Sequence, residues 1–182
     1  MAVLVYAESD NGVYKKSSFE AVTYGKDLAN KLGTSCTAIT IGSSGSENLG
    51  AFGADEVINV SGDVFATFNP QTYAKALSEV ASQKNCDTVI ISQTYNGKSM
   101  AALAAIKMDA AIVTGIVDMA NTEDGFVVKK TAFSSKAIAH VKINHNKKVL
   151  SIIPNSYMTT SGNPDAASTA ASVSVSADDV NT

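Results

Sequence analysis

The chain has 182 residues, of which 45% are hydrophobic and 17% charged, so it can bury a full core and is neither a disordered tail nor a small disulfide-stapled fold. No apolar run reaches the roughly 18 residues a membrane span requires, and Glu8 interrupts the amino-terminal apolar run too early for a secretory signal. All 14 basic residues are lysine, which argues against nucleic acid as a partner because the bidentate guanidinium is missing.

Charge is unevenly placed. Residues 1–153 hold 14 acids and 14 lysines, and Asp165, Asp178 and Asp179 of the remainder account for the net charge of -3. Ala2 to Ala7 reads as a buried strand. Ser17 and Glu20 have capping-box spacing, and Phe19, Val22, Leu28, Ala29 and Leu32 share a helical face that Gly33 ends. Thr34 to Ile41 is the next strand, Ser46 to Phe52 a short helix, and Val57 to Val60 a third strand. Pro70 opens a helix whose Tyr73, Ala74, Leu77, Val80 and Ala81 line one side.

Asp87 to Ser92 forms a strand, followed by a polar turn at residues 93–97 and an alanine-rich helix from Lys98 to Lys107. Strands alternating with helices imply a mostly parallel sheet with helices on both faces. From Ala111 the pattern becomes four β-runs, Ile112 to Met119, Gly125 to Phe133, Lys136 to Ile143 and Lys147 to Ile153. Their short connections predict antiparallel neighbours. The expected organisation is one α/β domain over 1–153 and a linker or mobile tail over 154–182, where Ser, Thr and Ala replace large apolar residues.

In such a sheet ligands bind beyond the carboxyl ends of the strands, where strand order reverses. The loop Glu8 to Val13 is acidic at its start and lacks GxGxxG, so it reads as an exposed connection and not as a dinucleotide site. Gly97, Lys98 and Ser99 match the end of a phosphate-binding loop, but Ser92 stands where its first glycine belongs. They are candidates for an anion or a nucleotide. Gly42 to Ser46 reads as a capped turn able to present amides.

His140 and His145 have no ligand-spaced neighbours, and Cys36 and Cys86 read as buried reduced thiols, which fits a cytoplasmic protein. The acid pairs Asp55-Glu56, Glu123-Asp124 and Asp178-Asp179 read as solvated edges. No GxSxG elbow or serine with a local base is present, so neither a catalytic nor a metal site is expected.

Several segments in order resemble the amino-terminal domain of electron transfer flavoprotein α subunits. They are Val3 to Glu8, the helix from Ser17 to Leu32, Gly53-Ala54-Asp55-Glu56-Val57, Thr94 to Ala105, Thr114 to Asp118 and Ser135 to Ala139. Lys98 and Leu103 stand where that family's signature has arginines. The resemblance implies a three-layer Rossmann-like fold of the adenine nucleotide alpha hydrolase type. It also implies a β-subunit partner in a heterodimer, and FAD held mainly by a second domain and not by this fragment.

A scaffold and subunit-contact role follows, inside a complex that carries electrons from flavin dehydrogenases to an acceptor oxidoreductase. On this reading the chain is a truncated piece of an electron carrier and not an enzyme. The alternative is a stand-alone adenine-nucleotide-binding module of the universal-stress type using Gly97, Lys98 and Ser99.

Overall fold

The computed structural model describes residues 2–42, 45, 48–160 and 166–175. The elements in chain order are β1 (Val3–Tyr6), a small hairpin of β2 (Ser9–Asp10) and β3 (Val13–Tyr14), α1 (Lys16–Leu32), β4 (Cys36–Ile41) and β5 (Glu56–Val60). Then come α2 (Pro70–Gln83), β6 (Thr88–Ser92), α3 (Tyr95–Met108), β7 (Ala111–Ile116), β8 (Phe126–Ala132), β9 (Ala137–Ile143), β10 (Lys148–Ile152) and β11 (Ala167–Ala170). Short 3₁₀ turns at Leu49–Phe52 and Asp63–Phe65 flank β5.

A nine-stranded sheet runs in the order β11-β5-β4-β1-β6-β10-β7-β8-β9, parallel from β11 to β7 and antiparallel at β8 and β9. The α/β expectation is met: three helices cover the two faces of a mostly parallel sheet. Side-chain alternation divides the core. Val3 and Val5 join Tyr24 and Leu28 of α1 on one face, while Leu4 and Tyr6 join Leu77 of α2 and Met100 of α3 on the other.

Glycine sets the closest helix contacts. A Cβ at Gly25 of α1 would lie 2.3 Å from Val5 Cγ2, and one at Gly97 of α3 would lie 2.0 Å from the Ser92 carbonyl oxygen. Either side chain would push its helix off the sheet. Gly33 ends α1 at φ 65°, and Asn69 caps α2 by accepting from the amides of Gln71 and Thr72 behind Pro70.

Four expectations need correction. Ser17 and Glu20 form no capping box, because α1 starts at Lys16 without a side-chain cap. Ser18 Oγ instead donates to the Glu8 carbonyl, and Glu20 accepts from the Asn155 amide. The short helix expected from Ser46 is a 3₁₀ turn beginning at Leu49; Ser46 itself lies outside the described residues. Helix α3 begins at Tyr95 and absorbs most of the expected polar turn, since Thr94 caps it.

The fourth correction concerns the last β-run. Lys148–Ile152 does not continue the meander but inserts in parallel between β6 and β7. Val149, Leu150, Ser151 and Ile152 are all buried, as a central parallel strand requires. Residues 117–147 supply the crossover between β7 and β10, with the β8–β9 hairpin in the place of a helix.

Described parts of the segment after Pro154 lie against the domain. Residues 155–160 lie along α1, where the Tyr157 hydroxyl donates to Asp27 at 2.7 Å and its ring meets Tyr24 edge-on. Strand β11 pairs with β5, and Ala171, Val173 and Val175 pack against the α2–α3 core. Polar side chains secure this edge: Asn59 Nδ2 donates to Ser168 Oγ, and Thr169 Oγ1 to Glu56. Residues 161–165 and 176–182 lie outside the described residues. No helix among the described residues is long and apolar enough to cross a membrane.

Candidate functional site

The chain leaves β1 toward β4 on one side and enters β6 on the other, so strand order reverses between β1 and β6. A cleft of about 460 Å³ opens there, beyond the carboxyl ends of these strands. Glu8, Asp10, Asn11 and Lys15 form one side, and Phe65, Phe68 and Tyr73 an aromatic wall opposite. The loop read as an exposed connection is a hairpin turned by Asn11 (φ 49°) and Gly12 (φ 80°). Asn-Gly is the usual sequence of such a two-residue turn, and that signal could have revealed it.

Glu8 dominates the cleft floor and is 3% exposed. Its carboxylate accepts from Lys15 Nζ, from the Thr94 hydroxyl and, at 2.9 Å, from Asn96 Nδ2. Its carbonyl accepts from the Lys15 amide and from Ser18 Oγ. One acid thus ties the end of β1 to the start of α1 and, across the switch point, to the cap of α3. Burial, with the Glu8 charge adding to it, raises the phenol pKa values of Tyr6 and Tyr73. The Tyr73 hydroxyl donates to the Phe65 carbonyl at 3.1 Å, which holds the aromatic wall in place.

The phosphate candidates are separated by α3. Gly97 is buried, and its amide donates to Thr94 Oγ1 at 3.0 Å. The Lys98 amide donates to the Thr94 carbonyl, while the Lys98 and Ser99 side chains are exposed; Ser99 Oγ donates to the Asn96 carbonyl. The amides of Gly97 and Lys98 are therefore engaged in closing the helix. A pyrophosphate in the cleft would face Glu8 and Asp10, with Lys15 already paired, so the described residues do not fit the phosphates of a dinucleotide.

The other candidates have structural surroundings. The Gly42 amide donates to the Val60 carbonyl; residues 43, 44, 46 and 47 of that loop lie outside the described residues. Cys36 and Cys86 are buried free thiols whose pKa values are pushed up, chiefly by burial, to about 12 and about 11. His140 is exposed on β9 opposite Lys129, and His145 holds a turn through Lys147. Asp55 accepts from the Cys36 amide and from Lys26, and Glu56 from Lys84, so this acid pair buttresses β4 and β5. Asp178 and Asp179 lie outside the described residues. No group of three or more metal-ligating side chains occurs among the described residues.

A doubly wound α/β domain with its switch point bound by its own side chains is the class these observations define. The chain belongs to the electron transfer flavoprotein family: the electron transfer flavoprotein domain matches residues 3–180. The electron transfer flavoprotein subunit alpha of Bacillus subtilis is 24% identical over 183 aligned positions, covering 99% of this chain and 56% of that protein. The subunit alpha of Clostridium acetobutylicum is 24% identical over 158 positions, covering 83% and 46%. The acryloyl-CoA reductase electron transfer subunit beta of Anaerotignum propionicum is 25% identical over 113 positions, covering 60% and 31%. The chain spans about half the length of the α subunits it matches.

Proposed function

We propose that this chain is the scaffold and subunit-contact part of an electron transfer flavoprotein α subunit, working in the cytoplasm and without a catalytic site of its own. With a β subunit it would form a complex that takes electrons from flavin dehydrogenases and passes them to an acceptor oxidoreductase. FAD would supply the redox-active ring of that complex, and no residue described here is assigned to it. The observation that carries this reading is the Glu8 clamp, in which Lys15, Thr94 and Asn96 all bond the Glu8 carboxylate and Thr94 engages the amides of Gly97 and Lys98.

The test is co-purification. The chain alone is expected to show no flavin absorbance and, mixed with the β subunit of its own source, to elute as a heterodimer. A yellow protein from the chain alone, or no heterodimer, contradicts the reading.

The second reading, a stand-alone adenine-nucleotide module, has the cleft volume in its favour. It requires AMP or ATP to bind the chain and Lys98→Ala to abolish binding. A flat calorimetric titration eliminates it.

A further inference from the structure

The clamp on Glu8 leaves one acid of the switch-point cleft unused. Asp10, exposed on β2, lines the same cavity and is within ion-pair distance of no lysine among the described residues. The described lining carries two carboxylates, Glu8 and Asp10, against the ammonium of Lys15, which Glu8 already holds. Residues 43–47, next in the chain after Gly42, include one acid and no basic residue. The described cleft is therefore negative, and a cavity of about 460 Å³ with low-dielectric walls concentrates that field.

The opposite wall is apolar and fixed in place. Phe65 and Phe68 meet Tyr73 edge-on at ring separations of 5.7 and 4.8 Å, and the Phe65 carbonyl accepts from the Tyr73 hydroxyl. Gly42 lets the end of β4 approach this wall, since a Cβ there would lie 2.7 Å from the Tyr73 hydroxyl and 2.8 Å from the Phe65 carbonyl oxygen. The Glu8 charge is felt across the cavity, where it adds to burial in raising the Tyr73 phenol pKa.

The two walls ask for different halves of one ligand. The aromatic side accepts an apolar or aromatic body, and the acidic side a positive nitrogen. The chain itself seats one ammonium here, that of Lys15 on the 3% exposed Glu8, which shows the chemistry that the floor accepts. A phosphate meets repulsion from the same acids, and a metal ion finds no group of three or more ligating side chains among the described residues.

We propose that the cleft binds a small organic ammonium compound. Its charged nitrogen pairs with Asp10, its body lies against Phe68 and Tyr73, and Glu8, still held by Lys15, Thr94 and Asn96, supplies the field that draws the charge in. The cavity size is that of a small-molecule site. This assignment does not rest on the subunit-contact reading, which stands or falls on the co-purification alone.

Calorimetry on the full chain tests it with three probes of one shape: tyramine, its neutral analogue tyrosol and its anionic analogue 4-hydroxyphenylacetate. Tyramine is expected to bind, tyrosol to bind about fivefold more weakly, and the acid to give no heat. Asp10→Asn should weaken tyramine about fivefold and leave tyrosol unchanged. Phe68→Ala should weaken tyramine and tyrosol alike. Asp10 is exposed, so Asp10→Asn should melt with the wild type, and the probe series separates charge from body without any variant. No tyramine binding at millimolar concentration, equal affinity for tyramine and tyrosol, or wild-type tyramine affinity in Asp10→Asn overturns the ammonium site. AMP binding more tightly than tyramine also overturns it and favours the nucleotide reading of the cleft.

Discussion

The switch-point cleft and the β8–β9 hairpin treat their charges in opposite ways. In the cleft, Glu8 is buried and satisfied by Lys15, Thr94 and Asn96, and the amides of Gly97 and Lys98 are taken by Thr94. On the hairpin, Lys130, Lys136 and Lys142 have no carboxylate partner among the described residues, and Phe133 stands in solvent. In a doubly wound fold the cleft is where a ligand would ordinarily sit. Here its buried acid holds the fold, and the unpaired lysines lie at the sheet's far edge.

The largest expected effect tests the cleft as a structural joint. Glu8→Ala removes a buried acid from three side-chain partners and should lower unfolding free energy by about 3 kcal/mol in urea titrations, at the low end for a broken buried pair because Lys15 is part-exposed. A loss below about 0.5 kcal/mol would mean the clamp is dispensable. Gly97→Ala comes next: its Cβ must displace α3 from the Ser92 carbonyl, costing about 2 kcal/mol in the same assay.

Alkaline pH sharpens the comparison further. Burial holds the Cys36 thiol pKa at about 12 and that of Cys86 at about 11, against an ordinary value of 9.0. The unfolded chain releases these protons first, so stability should be steady below about pH 9 and fall as pH rises from there toward 12. Thermal unfolding measured from neutral pH upward checks the sign; a rising midpoint would contradict it. The smallest effect belongs to the hairpin's surface. Asp118→Asn breaks an ion pair with Lys129 whose side chains are 50% and 45% exposed, and should cost less than about 1 kcal/mol, less still at high salt.

Much of the parallel part of the sheet was legible in the sequence because a short β-rich run there stands next to a helical pattern, as in Val3 to Tyr6 before α1. The place of β10 was not. Strand order depends on long-range pairing, and a four-residue link after β9 looks like a hairpin turn until the β8–β9 hairpin is seen to be the crossover. Strand β11 escaped notice because an edge held by Ser168 and Thr169 hydrogen bonds needs no large apolar residue.

The cleft's position followed from the topology, but its closure did not. Glu8 was visible as an acid at a strand end, while Thr94 and Asn96 lie more than eighty residues away in sequence. Gly97, Lys98 and Ser99 formed a plausible phosphate motif, but Thr94 engages the amides of Gly97 and Lys98.

The most direct measurement is a fluorescence titration of FAD with the purified chain, alone and after its heterodimer with the β subunit has been isolated. Free FAD is expected to keep its fluorescence when the chain alone is added. Stoichiometric quenching by the chain alone, retained in Glu8→Gln, would place the flavin on these residues and contradict the scaffold role.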